Sequence, residues 1–162
     1  RVRQQEGTVT ATVFSRDGKR LFATEPEGSI YVYELTGSKL ERTWQSPVPT
    51  RNLTAIALCP QGRQLAIAGM GASEAKPMGG FVAALDSTSG ETLYVIDDFE
   101  QVVNQLSFSP DGSRIAFAAM KGGYQQTEGT QGYIVVSDNL ALSRSAHAIA
   151  ASEPGQWFSV AG

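Results

Sequence analysis

The segment that decides the fold is Phe108-Ser109-Pro110-Asp111-Gly112, because its pattern occurs four times along the chain. The other copies are Phe14-Ser15-Arg16-Asp17-Gly18, Leu58-Cys59-Pro60-Gln61-Gly62 and Ala151-Ser152-Glu153-Pro154-Gly155. Their glycines stand at positions 18, 62, 112 and 155, so consecutive copies are 44, 50 and 43 residues apart. A period of about 40 to 50 residues is typical of proteins built from repeated structural units.

Apolar residues recur at alternate positions on both sides of each glycine, in the same register. The pattern covers four positions in each repeat: six and four residues before the glycine, and three and five residues after it. In chain order these residues are Thr12, Phe14, Leu21 and Ala23 around Gly18; Ile56, Leu58, Leu65 and Ile67 around Gly62; Leu106, Phe108, Ile115 and Phe117 around Gly112; and Ile149, Ala151, Phe158 and Val160 around Gly155. Such alternation predicts a β-hairpin with one face buried. The glycine suits the turn, because it accepts the positive φ that tight hairpins need.

A third strand is predicted after each of the first three hairpins. Each starts after a glycine and reaches an acid six residues later, as in Gly28 to Glu34, Gly80 to Asp86 and Gly132 to Asp138. A fourth strand fits residues 39–44 and 92–97. Four antiparallel strands per unit is the architecture of a β-propeller blade.

The sequence therefore predicts an all-β fold, a β-propeller arc of about three and a half four-stranded antiparallel blades that covers 1–162. The expected units are 8–45, 53–98 and 103–146, followed by a last two-stranded hairpin at 147–162. Propellers usually have 4 to 8 blades, so we expect an incomplete ring.

The stretch from Ser109 to Ala116, Ser-Pro-Asp-Gly-Ser-Arg-Ile-Ala, resembles bacterial β-propeller repeats of the WD-repeat and YVTN types, and also TolB-like propellers. The Trp-Asp pair of WD repeats is replaced by Tyr33-Glu34, Leu85-Asp86 and Ser137-Asp138, which indicates a divergent member. The resemblance implies a scaffold of the kind found in large bacterial proteins, where such repeats recognise partners or lie beside an effector or enzyme domain.

Composition excludes several functions. The 162 residues carry a net charge of -3, which argues against a strongly cationic nucleic-acid-binding surface. One cysteine and one histidine exclude a Cys/His zinc site, and no apolar run approaches the roughly 20 residues of a membrane span. We therefore expect no metal, no cofactor, no nucleic-acid partner and no membrane span. A single cysteine is compatible with either the bacterial cytoplasm or the periplasm.

Two insertions are the predicted binding site. The connection between second and third strands takes 10 residues in the first unit, but 18 and 20 in the next two, measured between the anchor glycines. The loops 70–79 and 121–131 should project side by side from one face, as binding loops on a rigid scaffold do. Their candidate partner-binding residues are Glu74, Lys76, Lys121, Tyr124, Gln125, Gln126 and Glu128. Glycine-rich decoration without a binding role is the alternative.

No catalytic residues are predicted. The single histidine, His147, takes the repeat position of Thr10, Thr54 and Asn104, which we interpret as a site of hydrogen bonding to the backbone. We expect a non-enzymatic protein-interaction or scaffold propeller, part of a larger multidomain protein, whose partner is a protein, a peptide or another domain of the same chain. Self-association that completes the ring is a further expectation. The alternative is the lid or substrate funnel of a hydrolase whose catalytic domain lies outside this chain.

Overall fold

A computed structural model describes residues 7–35, 39–45, 50–71, 79–99, 102–121, 131–138 and 158–159. Within these ranges the secondary structure is entirely strand and turn, and the strands form three antiparallel four-stranded sheets. The predicted all-β class and the four-stranded blade are thereby confirmed. In every sheet the strands are neighbours in chain order.

Each sheet repeats the same four-strand order. Sheet 1 contains β1 (Ala11–Phe14), β2 (Arg20–Thr24), β3 (Ser29–Glu34) and β4 (Lys39–Gln45). Sheet 2 contains β5 (Thr50–Leu58), β6 (Gln64–Gly71), β7 (Gly80–Asp86) and β8 (Thr92–Phe99). Sheet 3 contains β9 (Val103–Phe108), β10 (Arg114–Lys121), β11 (Gln131–Asp138) and β12 (Phe158–Ser159).

The repeated glycine turns join the first two strands of each sheet. Gly18, Gly62 and Gly112 have φ values of 68°, 74° and 69°, the left-handed region that favours glycine. In sheet 3 the Asp111 carboxylate accepts hydrogen bonds from Ser109 Oγ at 2.6 Å and from the Ser113 backbone at 3.0 Å. An aspartate at this place fixes the turn, because its side chain satisfies backbone and hydroxyl donors locally.

The sheets stack face to face, with sheet 2 in the middle. Phe22 and Val32 of sheet 1 share one buried cluster with Leu65, Ile67 and other residues of sheet 2. The opposite face of sheet 2 presents the small residues Ala55, Ala66, Ala68 and Val82, which pack with Val103, Leu106, Ile115 and Phe117 of sheet 3. The first strand of each sheet contacts the first strand of the next sheet, β1 with β5 and β5 with β9. The three first strands therefore lie side by side along one edge of the stacked sheets.

The fourth strand of sheet 3 differs from the prediction. Phe158 pairs with Ile134 and Ser159 with Tyr133, so β12 lies along β11 as the outermost strand of the third sheet. The sequence instead predicts Phe158 on the second strand of a further hairpin, 147–162. The pairing covers part of β11, whose backbone donors and acceptors would otherwise form an open sheet edge. Most of the predicted hairpin, residues 147–157 and 160–162, lies outside the described residues.

Candidate partner-binding face

The two long connections close hairpins that are paired up to their last described residues. Met70 pairs with Gly80, and the Gly71 backbone N–H donates to Gly79 O at 2.7 Å. In sheet 3 the last residue of β10, Lys121, pairs with Gln131. The tips of both loops, 72–78 and 122–130, lie outside the described residues, and with them the predicted Glu74, Lys76, Tyr124, Gln125, Gln126 and Glu128.

Contacts between sheets 2 and 3 show that the loop ends of both hairpins lie at the same edge of the sheets. At one end of the sheets, Gln61 Nε2 donates to Asp111 O at 2.5 Å, which joins the two glycine turns. Towards the other end, Thr54 Oγ1 donates to Val103 O, which joins the early part of β5 to the start of β9. Because equivalent parts of the two sheets touch, β6 and β10 run in the same direction. Both loops therefore leave the sheets at one edge, which we call the loop edge.

The first hairpin reaches the loop edge with a short turn. Its residues Glu25 to Gly28 are closed by a bond from the Gly28 N–H to Glu25 O at 3.2 Å, and Gly28 has a φ of 100°. The Tyr31 hydroxyl donates to Glu25 Oε2 at 2.9 Å. The Leu53 N–H donates to Pro26 O at 3.2 Å, so this turn is attached to sheet 2. The three hairpins thus form one continuous edge.

The sequence does not indicate Glu25 or Tyr31 as residues of this edge. Glu25 is half-buried and accepts a hydrogen bond from the Tyr31 hydroxyl, whereas the nearby Glu27 is exposed. The signal that was available is positional, because the 25–28 turn occupies the same repeat position as the two long loops. Because this turn is short, loop length does not identify it as part of a binding site. It nevertheless places the Glu25 carboxylate on the loop edge.

At the opposite edge, which carries the glycine turns, the aspartate carboxylates accept hydrogen bonds from residues of their own turns. Hydrogen bonds from the Ser109 hydroxyl and the Ser113 backbone lower the pKa of Asp111 to about 2. Asp86 Oδ1 accepts from the Thr88 and Ser89 backbones at 2.8 Å each, and these bonds lower its pKa as well. Among the residues that the structure describes, no cluster of three or more His, Cys, Asp or Glu side chains could hold a metal ion.

The thiol of Cys59 is a packing group in this structure. Cys59 is 4% exposed, and its Sγ donates to Gln61 Oε1 at 2.7 Å. The same Gln61 side chain donates through Nε2 to Asp111 O in the glycine turn of sheet 3. Burial raises the pKa of the neighbouring Tyr94 hydroxyl to about 12. A covered thiol beside a neutral phenol lacks the exposure and the positive surroundings that activate a cysteine nucleophile. The single histidine, His147, lies outside the described residues.

No helix in the described part of the chain is long and apolar enough to cross a bilayer.

No protein-family model matches this sequence. No curated protein matches it either. Among solved structures, the chain is similar to the β-propeller domain of Cps50 (Swd1) from Myceliophteria thermophila, with a TM-score of 0.60 and 18% identity over 83% of this chain and 40% of that one. It is also similar to the structure of U3-55K, with a TM-score of 0.61 and 12% identity over 83% of this chain and 47% of that one.

The chain spans less than half the length of either solved structure. Bacterial origin and the YVTN or TolB-like type stay predictions, because likeness at this level of identity concerns the fold. The three stacked antiparallel sheets and the two similar structures agree on that fold: the chain is a partial β-propeller.

Proposed function

We propose that this chain is a non-enzymatic protein-interaction propeller, part of a larger multidomain bacterial protein, and that it binds a protein or peptide partner through its loop edge. The observation that carries the proposal is the alignment of the two long hairpins. Their strands stay paired to Gly71 and to Lys121, and sheets 2 and 3 are joined through Gln61 and Thr54. Insertions on paired, mutually fixed strands can present a defined surface, as binding loops on rigid scaffolds do.

The chemistry of the loops favours a polar protein surface over a small apolar ligand. Glu74, Glu128, Lys76 and Lys121 give the loops both charge signs, and Tyr124, Gln125 and Gln126 add groups that donate and accept hydrogen bonds. Glu25 and Glu27 lie on the same edge, in the turn of the first hairpin. Aromatic residues are enriched at protein interfaces, and charges on the polar rim fix partner and orientation through charge complementarity.

The test replaces residues 72–78 and 122–130 by short Gly-Ser turns, separately and together. A partner is first identified by capture and mass spectrometry from its native source, then purified, and its affinity for each variant is measured by calorimetry. We expect the double replacement to abolish binding while the thermal unfolding temperature stays unchanged, because the replaced tips lie beyond the last paired residues. The matched control is Lys19→Ala with Arg63→Ala, two exposed cations at the opposite edge, which should leave affinity unchanged.

Unchanged affinity in the double loop replacement would contradict the proposal. A hydrolase domain in the same reading frame, whose turnover falls when the loops are shortened, would favour the alternative of a lid or substrate funnel. Self-association that completes the ring stays a prediction.

A further inference from the structure

We infer that Gln61 is a positioning residue for the loop edge. Its side chain bridges the glycine turns of sheets 2 and 3, and thereby fixes how the two long loops lie relative to each other. The inference rests on the proposed function, because it concerns the same loops, but it assigns their alignment to a residue at the opposite edge. Gln61 itself is not expected to contact the partner.

The glycine turn of sheet 2 departs from the pattern of the other two turns. In sheets 1 and 3 a serine hydroxyl donates to the aspartate two residues later, at 2.6 Å in each case. The pairs are Ser15 with Asp17 and Ser109 with Asp111. In sheet 2 these positions hold Cys59 and Gln61, and Cys59 Sγ donates to Gln61 Oε1 at 2.7 Å. The glutamine keeps the contact two residues back, and its amide adds a bond to Asp111 O of the next sheet at 2.5 Å.

The surroundings of the turn glycines show that this bridge belongs to one junction. A Cβ added at Gly62 meets nothing within 4 Å, whereas one added at Gly112 would lie 2.8 Å from Cys59 Sγ. The turns of sheets 2 and 3 are therefore in contact. At the same edge, sheet 1 reaches sheet 2 through Arg20 instead, whose Nη1 donates to Ser87 O at 3.3 Å. The bridged junction is the one between the two sheets that carry the long loops.

Two polar contacts near opposite ends fix the tilt of sheets 2 and 3 as well as their separation. The apolar cluster between these sheets holds them together, but hydrophobic attraction has no preferred direction. Thr54 Oγ1 donates to Val103 O towards the loop edge, and Gln61 Nε2 donates to Asp111 O at the other edge. With the Thr54 bond alone, the sheets would rotate more easily about that point, and the loops beyond it would change their mutual orientation. The Gln61 bond opposes this rotation, so the loops are aligned before the partner arrives, which lowers the ordering cost of binding.

The experiment measures the affinity of the captured partner by calorimetry for two variants that remove the bridge in different ways. Gln61→Glu keeps the size of the side chain but has no amide donor for Asp111 O. Cys59→Ser combined with Gln61→Asp recreates the serine and aspartate of the other two turns, so the turn is closed locally and only the bond to sheet 3 is lost. We expect both variants to bind about 3- to 10-fold more weakly, the effect that one hydrogen bond predicts.

The dependence on both loops separates positioning from stability. In a chain whose 72–78 loop is replaced by a Gly-Ser turn, Gln61→Glu should change the remaining affinity little, because no second loop has to be aligned. A purely structural effect would instead weaken both backgrounds equally and lower the thermal unfolding temperature. Cys59→Ser alone keeps a hydroxyl donor for Gln61 and should bind like the wild type. Arg63→Ala is the matched control, because Arg63 is exposed in the same turn.

A second measurement does not need the partner. Spin labels on Met70→Cys and Lys121→Cys, in a Cys59→Ser background, report the distance between the bases of the two loops. We expect a narrow distance distribution with Gln61 and a broader one with Gln61→Glu, whereas equal distributions would overturn the inference.

The outcomes distinguish this inference from the proposed function. If the loop replacements abolish binding but both bridge variants bind like the wild type, the inference is wrong and the proposed function stands. If the loop replacements leave affinity unchanged, the proposed function fails, and the spin-label distances still decide whether Gln61 aligns the loops.

Discussion

At the scale of the residue, the aspartates of the glycine turns are exposed carboxylates with lowered pKa values. Asp17 and Asp111 make the same contacts: each accepts a hydrogen bond from the serine two residues before it at 2.6 Å and from the backbone two residues after it. Both pKa values are lowered, Asp111 to about 2, because these donors favour the charged carboxylate. The Asp-Gly pair predicts this turn from sequence, since both residues act locally.

We expect NMR titration to give a pKa of about 2 for Asp111, and Ser109→Ala to move it back towards the ordinary value of 3.8. Since the pKa is lower in the folded state, this carboxylate stabilises the fold fully above pH 3.8. That stabilisation is lost as the pH falls from 3.8 towards 2. Ser107→Ala is the control, because its hydroxyl donates to Phe108 O instead. A wild-type Asp111 that titrates near 3.8 would show that the turn bonds do not form in solution.

Two turn glycines have nearly the same φ but different surroundings, so their substitution separates the cost of a left-handed backbone from the cost of a steric clash. Gly18 and Gly112 have φ values of 68° and 69°, but an added Cβ at Gly18 meets nothing within 4 Å. At Gly112 it would lie 2.8 Å from Cys59 Sγ and 2.1 Å from Gln61 Oε1. Gly18→Ala should therefore cost about 1 kcal/mol of left-handed strain alone. Gly112→Ala should lower the unfolding free energy further, because it also displaces the Gln61 contact between sheets 2 and 3. Equal losses in urea denaturation would contradict this interpretation.

At the scale of the element, the threonines eight residues before Gly18 and Gly62 hold the first strand of their sheet to the second. Thr10 Oγ1 donates to Thr24 O, and Thr54 Oγ1 donates to the equivalent Ala68 O, both at 3.2 Å. This confirms for these two repeats the predicted role in backbone hydrogen bonding. The register could be read from the sequence because it repeats with the turn. The additional bond from Thr54 to Val103 O, which joins two sheets, could not, since it depends on how closely the sheets pack.

The difference between the two threonines gives a measure of that inter-sheet bond. Thr54→Val should lower the unfolding free energy by about 1 to 2 kcal/mol more than Thr10→Val, because only Thr54 leaves a carbonyl of the next sheet without its donor. Thr54→Ser keeps the hydroxyl and should recover most of the loss. The measurement is chemical denaturation of the three variants side by side. Equal effects of the two valine substitutions would mean that the bond to Val103 contributes nothing.

At the scale of the whole molecule, the sequence predicted the repeated sheet but not how the arc ends. The alternation of apolar residues and the glycine turns predict β1 to β3 and the equivalent strands of the other sheets. Each of these strands depends only on pairing with its neighbour in the chain and on burying one face. The last strand is different, since β12 has only two paired residues and its position depends on the free edge of β11. The bond between Leu53 and Pro26 likewise joins distant parts of the chain that share no local pattern. The residues of the two long loops follow no periodic pattern, so the spacing of residues in the sequence does not identify the binding partner.

The stacked arrangement makes each sheet depend mainly on its neighbours. Phe22 is fully buried between sheets 1 and 2, whereas Phe117 is buried between sheets 2 and 3 and meets Phe99 edge to face at 5.0 Å. Truncation of a buried phenylalanine to alanine costs roughly 3 to 5 kcal/mol. In proteins whose repeats contact only adjacent repeats, such a loss is concentrated at the affected junction. The location of the substitution should therefore decide which sheet opens first.

Native-state hydrogen exchange can locate that loss. Phe117→Ala should accelerate exchange most in β9 and β10, and Phe22→Ala most in β1 and β2, because each removes apolar contact from one junction. Sheet 2 contributes to both junctions and should remain the best protected in either variant. Phe14→Ala is the control, because Phe14 is 60% exposed and its truncation should change exchange little. Equal acceleration in all three sheets for both buried substitutions would instead show that the arc unfolds as a single cooperative unit, with no independent stability in its individual blades.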